Sequence, residues 1–154
     1  MAQNSVVAFA DRPGWPSHDQ SRDTTTSADH FVQRDGIEFA GTHLIADLWG
    51  ASRLDELDHM ETALRDAVEA AGATLLHIHL HHFTPNGGIS GVAVLAESHI
   101  SVHTLPERAF AAFDVFMCGD AKPLAAIDVL KRAFTPSRTQ VGEHMRGIVT
   151  KDAE

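Results

Sequence analysis

Ser98, His103 and Cys118 are the residues whose types and spacing could do chemistry. A serine hydroxyl is a weak nucleophile until a neighbour activates it. An imidazole takes up or releases a proton near neutral pH. An unperturbed thiol has a pKa of about 8.5, so it is mostly protonated at neutral pH. Spacing brings two of the three together. Ser98 to Thr104 and Ala109 to Met117 read as consecutive strands, joined by a turn through Leu105 to Arg108 that contains Pro106. Pairing Thr104 with Phe110 sets Ser98 opposite Phe116, two residues from Cys118. Ser98 and His103 are separated by an odd number of residues and should project to opposite faces of a strand. Direct contact between them needs a bend or bulge near Ser98, or an approach from the other side of the backbone. Taken alone, Cys118 reads more simply as a buried small hydrophobe.

A second constellation is the row His77, His79 and His81, with His82 beside it. Imidazoles on one strand face could bind zinc. No glutamate or second cysteine accompanies them locally, so a plain polar strand face is the simpler reading.

The elements that must position these groups follow from periodicity. His43 to Trp49 reads as a first strand. Ser52, with Asp55 three residues on, resembles a capping box opening a helix. Leu54, Leu57, Met60, Leu64, Ala67, Val68 and Ala71 recur at helical spacing, and Gly72 ends the run. Leu75 to Phe83 switches to a period of two, and Thr84 to Gly88 is a turn. Ile89 to Ala96 makes the next strand. After the 98–117 hairpin, a helix from about Pro123 to Phe134 groups Leu124, Ile127, Leu130 and Ala133. Arg138 to Val149 adds a last strand. Parallel neighbours need crossovers of about a dozen residues or more. The connections here are short, so the sheet should be largely antiparallel. The expected fold is a two-layer α/β sandwich, its sheet covered on one face by two helices. An apolar opposite face would call for a second copy as cover.

Composition bounds the rest. The chain has 154 residues, enough for one domain with a real core. Residues 1–37 show no sustained apolar period and are expected to be a flexible extension; 38–150 form the domain, and 151–154 a tail. A net charge of -9 argues against nucleic acid as a partner. One cysteine excludes an internal disulfide and a cysteine-only zinc site. No apolar run approaches the ~20 residues that span a bilayer. A soluble, cytoplasmic protein with no membrane partner is expected.

The stretch Glu97-Ser98-His99-Ile100-Ser101-Val102-His103-Thr104-Leu105-Pro106-Glu107 resembles the processing site of bacterial S-adenosylmethionine decarboxylase proenzymes. The likeness is collinear over residues 38–150. It takes in Gly41 to Asp47, Ala70 to Thr74, His82 to Pro85, Ser90 to Val92, and Ala111 to Gly119. The resemblance implies self-cleavage between Glu97 and Ser98, with Ser98 converted into a pyruvoyl group that forms a Schiff base with substrate. It implies His103 as the processing base, Ser90 as support, and Cys118 as proton donor. It implies Phe83 and Glu107 as contacts to adenine and ribose. It further implies S-adenosylmethionine as substrate, a product serving spermidine synthesis, no metal, and a homodimer of cleaved protomers with sites near the interface. Three departures bear on the pocket. Leu105 replaces an aromatic residue, Gly87-Gly88 lengthens a turn, and His82 replaces an arginine. Alternatives from other classes are a pyruvoyl decarboxylase of ornithine or arginine, a histidine-rich metal binder, and a non-enzymatic partner-binding homologue.

Overall fold

The computed structural model describes residues 30–150. Most of the expected extension, residues 1–29, and the tail 151–154 lie outside the described residues. The elements run β1 (Val32–Arg34), β2 (Ile37–Trp49), α1 (Leu57–Ala70), β3 (Leu75–His82), β4 (Ile89–Leu95), β5 (Ser98–Leu105), β6 (Phe110–Cys118), α2 (Pro123–Phe134) and β7 (Arg138–Ile148).

All six strand pairings are antiparallel. The sheet runs β2-β6-β5-β4-β3, and β7 pairs with β2. Phe39 of β2 pairs with Val32 of β1 and also with Ile148 of β7. A strand has two edges, so β1 and β7 flank opposite edges of β2. β1 therefore lies on the β6 side, in line with the end of β6 that carries Cys118.

Alternation sorts the sheet into two faces. Leu44, Ala46, Leu48, Ile100, Val102, Ala111, Phe113, Val115 and Met117 point into the core. Met60, Leu64, Ala67, Val68, Ile127, Leu130 and Phe134 meet them from α1 and α2. The two-layer antiparallel architecture is thus the expected one. No helix among the described residues is long and apolar enough to cross a membrane.

Four local expectations need correction. The first strand starts at Ile37 rather than His43 and has β1 before it. Helix α1 starts at Leu57, and its cap residue Glu56 makes no side-chain cap bond. Ser52 instead donates its hydroxyl to the Phe134 carbonyl at 3.2 Å and sits 2.9 Å from Thr135 Oγ1, tying the segment before α1 to the end of α2. On α2, Leu124 is 59% exposed, and Ala126 and Phe134 take core positions with Ile127 and Leu130. Finally, Thr104 pairs with Ala111 and Leu105 with Phe110, so the β5–β6 register is one residue from that expected.

Candidate active site

The β4–β5 connection is a two-residue turn, Ala96-Glu97, between the paired residues Leu95 and Ser98. Glu97 has φ +60°, in the left-handed region that a side chain normally avoids. The peptide bond from Glu97 to Ser98 is thus at the tip of a tight hairpin, in a backbone conformation that costs roughly 1–3 kcal/mol and recurs at functional sites. Glu97 is exposed and Ser98 half-buried.

One residue of register brings Ser98 closer to its partner. The Cys118 backbone N–H donates to Ser98 Oγ at 3.3 Å. This bond leaves the serine's own hydrogen available and orients its oxygen at the strand end. Burial pushes the Cys118 thiol above the ordinary range, and the negative charge of Glu97 adds to the rise. Both effects favour the protonated thiol. Gly41 of β2 pairs with Cys118, and a Cβ there would lie 3.0 Å from the sulfur. That Cβ would also meet the Met117 carbonyl oxygen at 2.7 Å, so the bare position is what lets the Cys118 end of β6 lie this close to β2.

His103 belongs elsewhere. It pairs with Ser90 of β4, and Ser90 Oγ lies 2.8 Å from His103 Nδ1. That bond holds the ring and leaves Nε2 for proton transfer. The pairing of β5 runs without a register shift on either side. Five residues of strand separate His103 from Ser98, about 16 Å at ~3.3 Å per residue. No bulge closes that gap within one chain. Phe83 and Glu107 sit at the His103 end. Phe83 follows β3, its half-exposed ring packed edge-on against His81 with centroids 4.4 Å apart. Its N–H donates to Gly88 O at 2.7 Å, and a Cβ on Gly88 would meet Thr104 O at 3.0 Å. Glu107 is exposed in the 3-10 turn Pro106–Arg108 just beyond Leu105. The sheet thus gathers Glu97, Ser98 and Cys118 at one end, and Phe83, Ser90, His103 and Glu107 at the other.

Between the two ends, the open face carries a network not singled out from sequence. Arg146 donates to His43 Nδ1 at 3.1 Å, and His43 Nε2 lies 3.2 Å from Asp114 Oδ1. Ser101 Oγ donates to Asp114 Oδ2 at 3.1 Å. The arginine and the carboxylate together select the tautomer with hydrogen on Nε2. His99 and Phe116 stack beside this group at 5.7 Å between centroids. Burial holds the His99 ring below its ordinary pKa, the neighbouring His43 adds to this, and Asp114 opposes it. The signal was present in the parity: residues 99, 101 and 103 share a face with 114, 116 and 118. No group of three or more His, Cys, Asp or Glu side chains among the described residues converges on a metal position. His77, His79 and His81 form an exposed row rather than a cage.

A serine destined to become a pyruvoyl group needs a cleavable bond before it and room around it. Ser98 follows an exposed turn residue, is itself only partly buried, and has Cys118, whose thiol burial favours in the protonated form, hydrogen-bonded to it through the backbone, so the residues present fit that group.

Comparison with known proteins places the chain among relatives. A family model described as S-adenosylmethionine decarboxylase matches residues 42–147. The S-adenosylmethionine decarboxylase proenzyme of Thermomicrobium roseum is 46% identical over 110 residues, covering 71% of this chain and 95% of that protein. The proenzyme of Methanococcus maripaludis is 46% identical over 112 residues, covering 71% and 91%. The crystal structure of the adenosylmethionine decarboxylase from Aquifex aeolicus aligns with a TM-score of 0.67 at 35% identity, covering 75% of this chain and 98% of that one. The chain belongs to the S-adenosylmethionine decarboxylase family.

Proposed function

We propose that this protein cleaves itself between Glu97 and Ser98 and then decarboxylates S-adenosylmethionine. The observation that carries the reading is the strained Glu97-Ser98 turn, with Ser98 Oγ held 3.3 Å from the Cys118 N–H. Ser98 Oγ attacks the carbonyl carbon of Glu97. The C–N bond breaks, the nitrogen takes up a proton, and an ester joins the two residues. The Cys118 N–H stabilises negative charge on Ser98 Oγ as it forms. A base then removes the α-hydrogen of residue 98. The electron pair forms a double bond to Cβ, and Glu97 departs as a carboxylate. Water replaces the freed nitrogen, ammonia leaves, and a pyruvoyl group remains at position 98.

His103 is the imidazole suited to act as that base, and it belongs to the far end of its own strand. A second copy resolves the geometry. A two-fold axis lying in the plane between two open sheet faces, across the strands, reverses one strand set over the other. The Ser90–His103 pair of each copy then meets the Ser98–Cys118 pair of its partner. Isologous pairing of this kind creates two equivalent sites.

The pyruvoyl ketone supplies an electron sink when carbon dioxide leaves the substrate. Cys118, held protonated by burial and by Glu97, returns a proton to the substrate's α-carbon. Phe83 offers a half-exposed ring for a flat base, and Glu107 a carboxylate for paired hydroxyls. Leu105 is 44% exposed beside them and presents a branched aliphatic wall. Carbon dioxide release from S-adenosylmethionine, with ornithine, arginine and lysine as competitors for the role, tests the substrate. Release from S-adenosylmethionine alone is expected. Turnover of one of the other amino acids in its place would overturn the assignment.

A further inference from the structure

His30, two residues before β1, lies against both the end of β6 and the β4–β5 turn. The carbonyl of His30 accepts a hydrogen bond from the Gly119 N–H at 2.8 Å, one residue past Cys118. This fixes the backbone of His30 at the end of β6. Its imidazole then reaches across to the β4–β5 turn, where Nε2 lies 3.3 Å from Glu97 Oε2. Gly119 stands at φ +59°, and a Cβ there would come within 3.4 Å of His30 Nδ1. The position is thus left bare where the ring lies. Residue 30 precedes the region matched by the family model, which begins at residue 42.

Glu97 needs such a hold. Its left-handed conformation is unfavourable for a side-chain-bearing residue, and its side chain is 56% exposed. An ion pair anchored from β6 restrains the residue in the conformation that precedes cleavage. After the cut, His30 and Glu97 remain on the same fragment, so the pairing outlives the reaction.

We propose that His30 is a positioning residue for self-cleavage, holding Glu97 in its strained turn through the Glu97 side chain. The inference rests on the self-processing reading above. Both side chains are about half exposed, and exposed ion pairs contribute little to overall stability. The consequence should therefore appear in the cleavage rate and leave the fold alone.

The test is a time course of fragment appearance on denaturing gels, using the full chain. His30→Ala should slow cleavage about two- to five-fold, the factor an exposed ion pair is worth, with an unchanged thermal midpoint. His30→Lys replaces the imidazole with a long side chain that can also bond the Glu97 carboxylate, and should recover at least half of the lost rate. Wild-type cleavage in His30→Ala, or a His30→Lys chain as slow as His30→Ala, would overturn the proposal. A wild-type chain that stays whole would instead sink the self-processing reading on which it stands.

Discussion

Glu97, Ser98 and Cys118 divide the work at the residue scale. In the proposed mechanism the left-handed Glu97 stores backbone strain, Ser98 would supply the attacking oxygen, and Cys118 would contribute first the N–H that bonds Ser98 Oγ and then its thiol. These roles separate in variants. Cys118→Ala keeps the backbone N–H, so it should still cleave. Its turnover should fall by about 100-fold or more, the usual worth of a positioned acid. Near-normal turnover would remove Cys118 from the donor role. The direction of the thiol's shift gives a second outcome. Burial, aided by Glu97, raises its pKa, so the protonated form persists to higher pH than for a free thiol. The activity that depends on Cys118 should therefore hold through the range near pH 8.5 where an ordinary thiol ionises, and decline only above it. A pH–rate profile of the cleaved enzyme that falls below about pH 8 would contradict this.

At the scale of elements, the sheet explains both what comes together and what is kept apart. Thr104 of β5 is a small test of that construction. It is 5% exposed, donates its hydroxyl to Leu54 O at 2.9 Å and accepts from the Ile89 N–H at 2.8 Å. Thr104→Val preserves shape but orphans two buried backbone groups. A loss of about 2–4 kcal/mol is expected, measured by urea unfolding of the uncut Ser98→Ala chain. A change within ~0.5 kcal/mol would mean those groups find other partners. Much of this layout was legible in the sequence. Period-two runs and short connections identified the antiparallel hairpins, and helical spacing identified α2 to the residue. The misses have physical causes. Ser52 looked like a cap because its type suits one, yet tertiary bonds to Phe134 and Thr135 claim its hydroxyl. The β5–β6 register depended on how many residues the 3-10 turn absorbs, and Ala109, at φ +49°, sits outside both strands. The network of His43, Ser101 and Asp114 spans three strands: parity marks the face it lies on, and its contacts follow only from the register.

For the whole molecule, the distance between Ser98 and His103 is the decisive fact. Two residues about 16 Å apart on one straight strand can share a site only through another copy. This yields a complementation prediction. Ser98→Ala and His103→Ala chains, each inactive in cleavage alone, should form mixed dimers in which the His103→Ala chain is cut. Its Ser98 would face the intact His103 of the partner. Absence of cutting in purified mixed dimers would place the base within one chain or assign it to another residue. The central claim itself is that this one chain becomes two. The most direct measurement is intact mass analysis of the wild-type protein after prolonged incubation. We predict two fragments, one ending at Glu97 and the other starting with a carbonyl-bearing residue 98 that lacks an amino group, while Ser98→Ala gives one uncut chain. A wild-type chain that remains a single species of full mass would contradict the account.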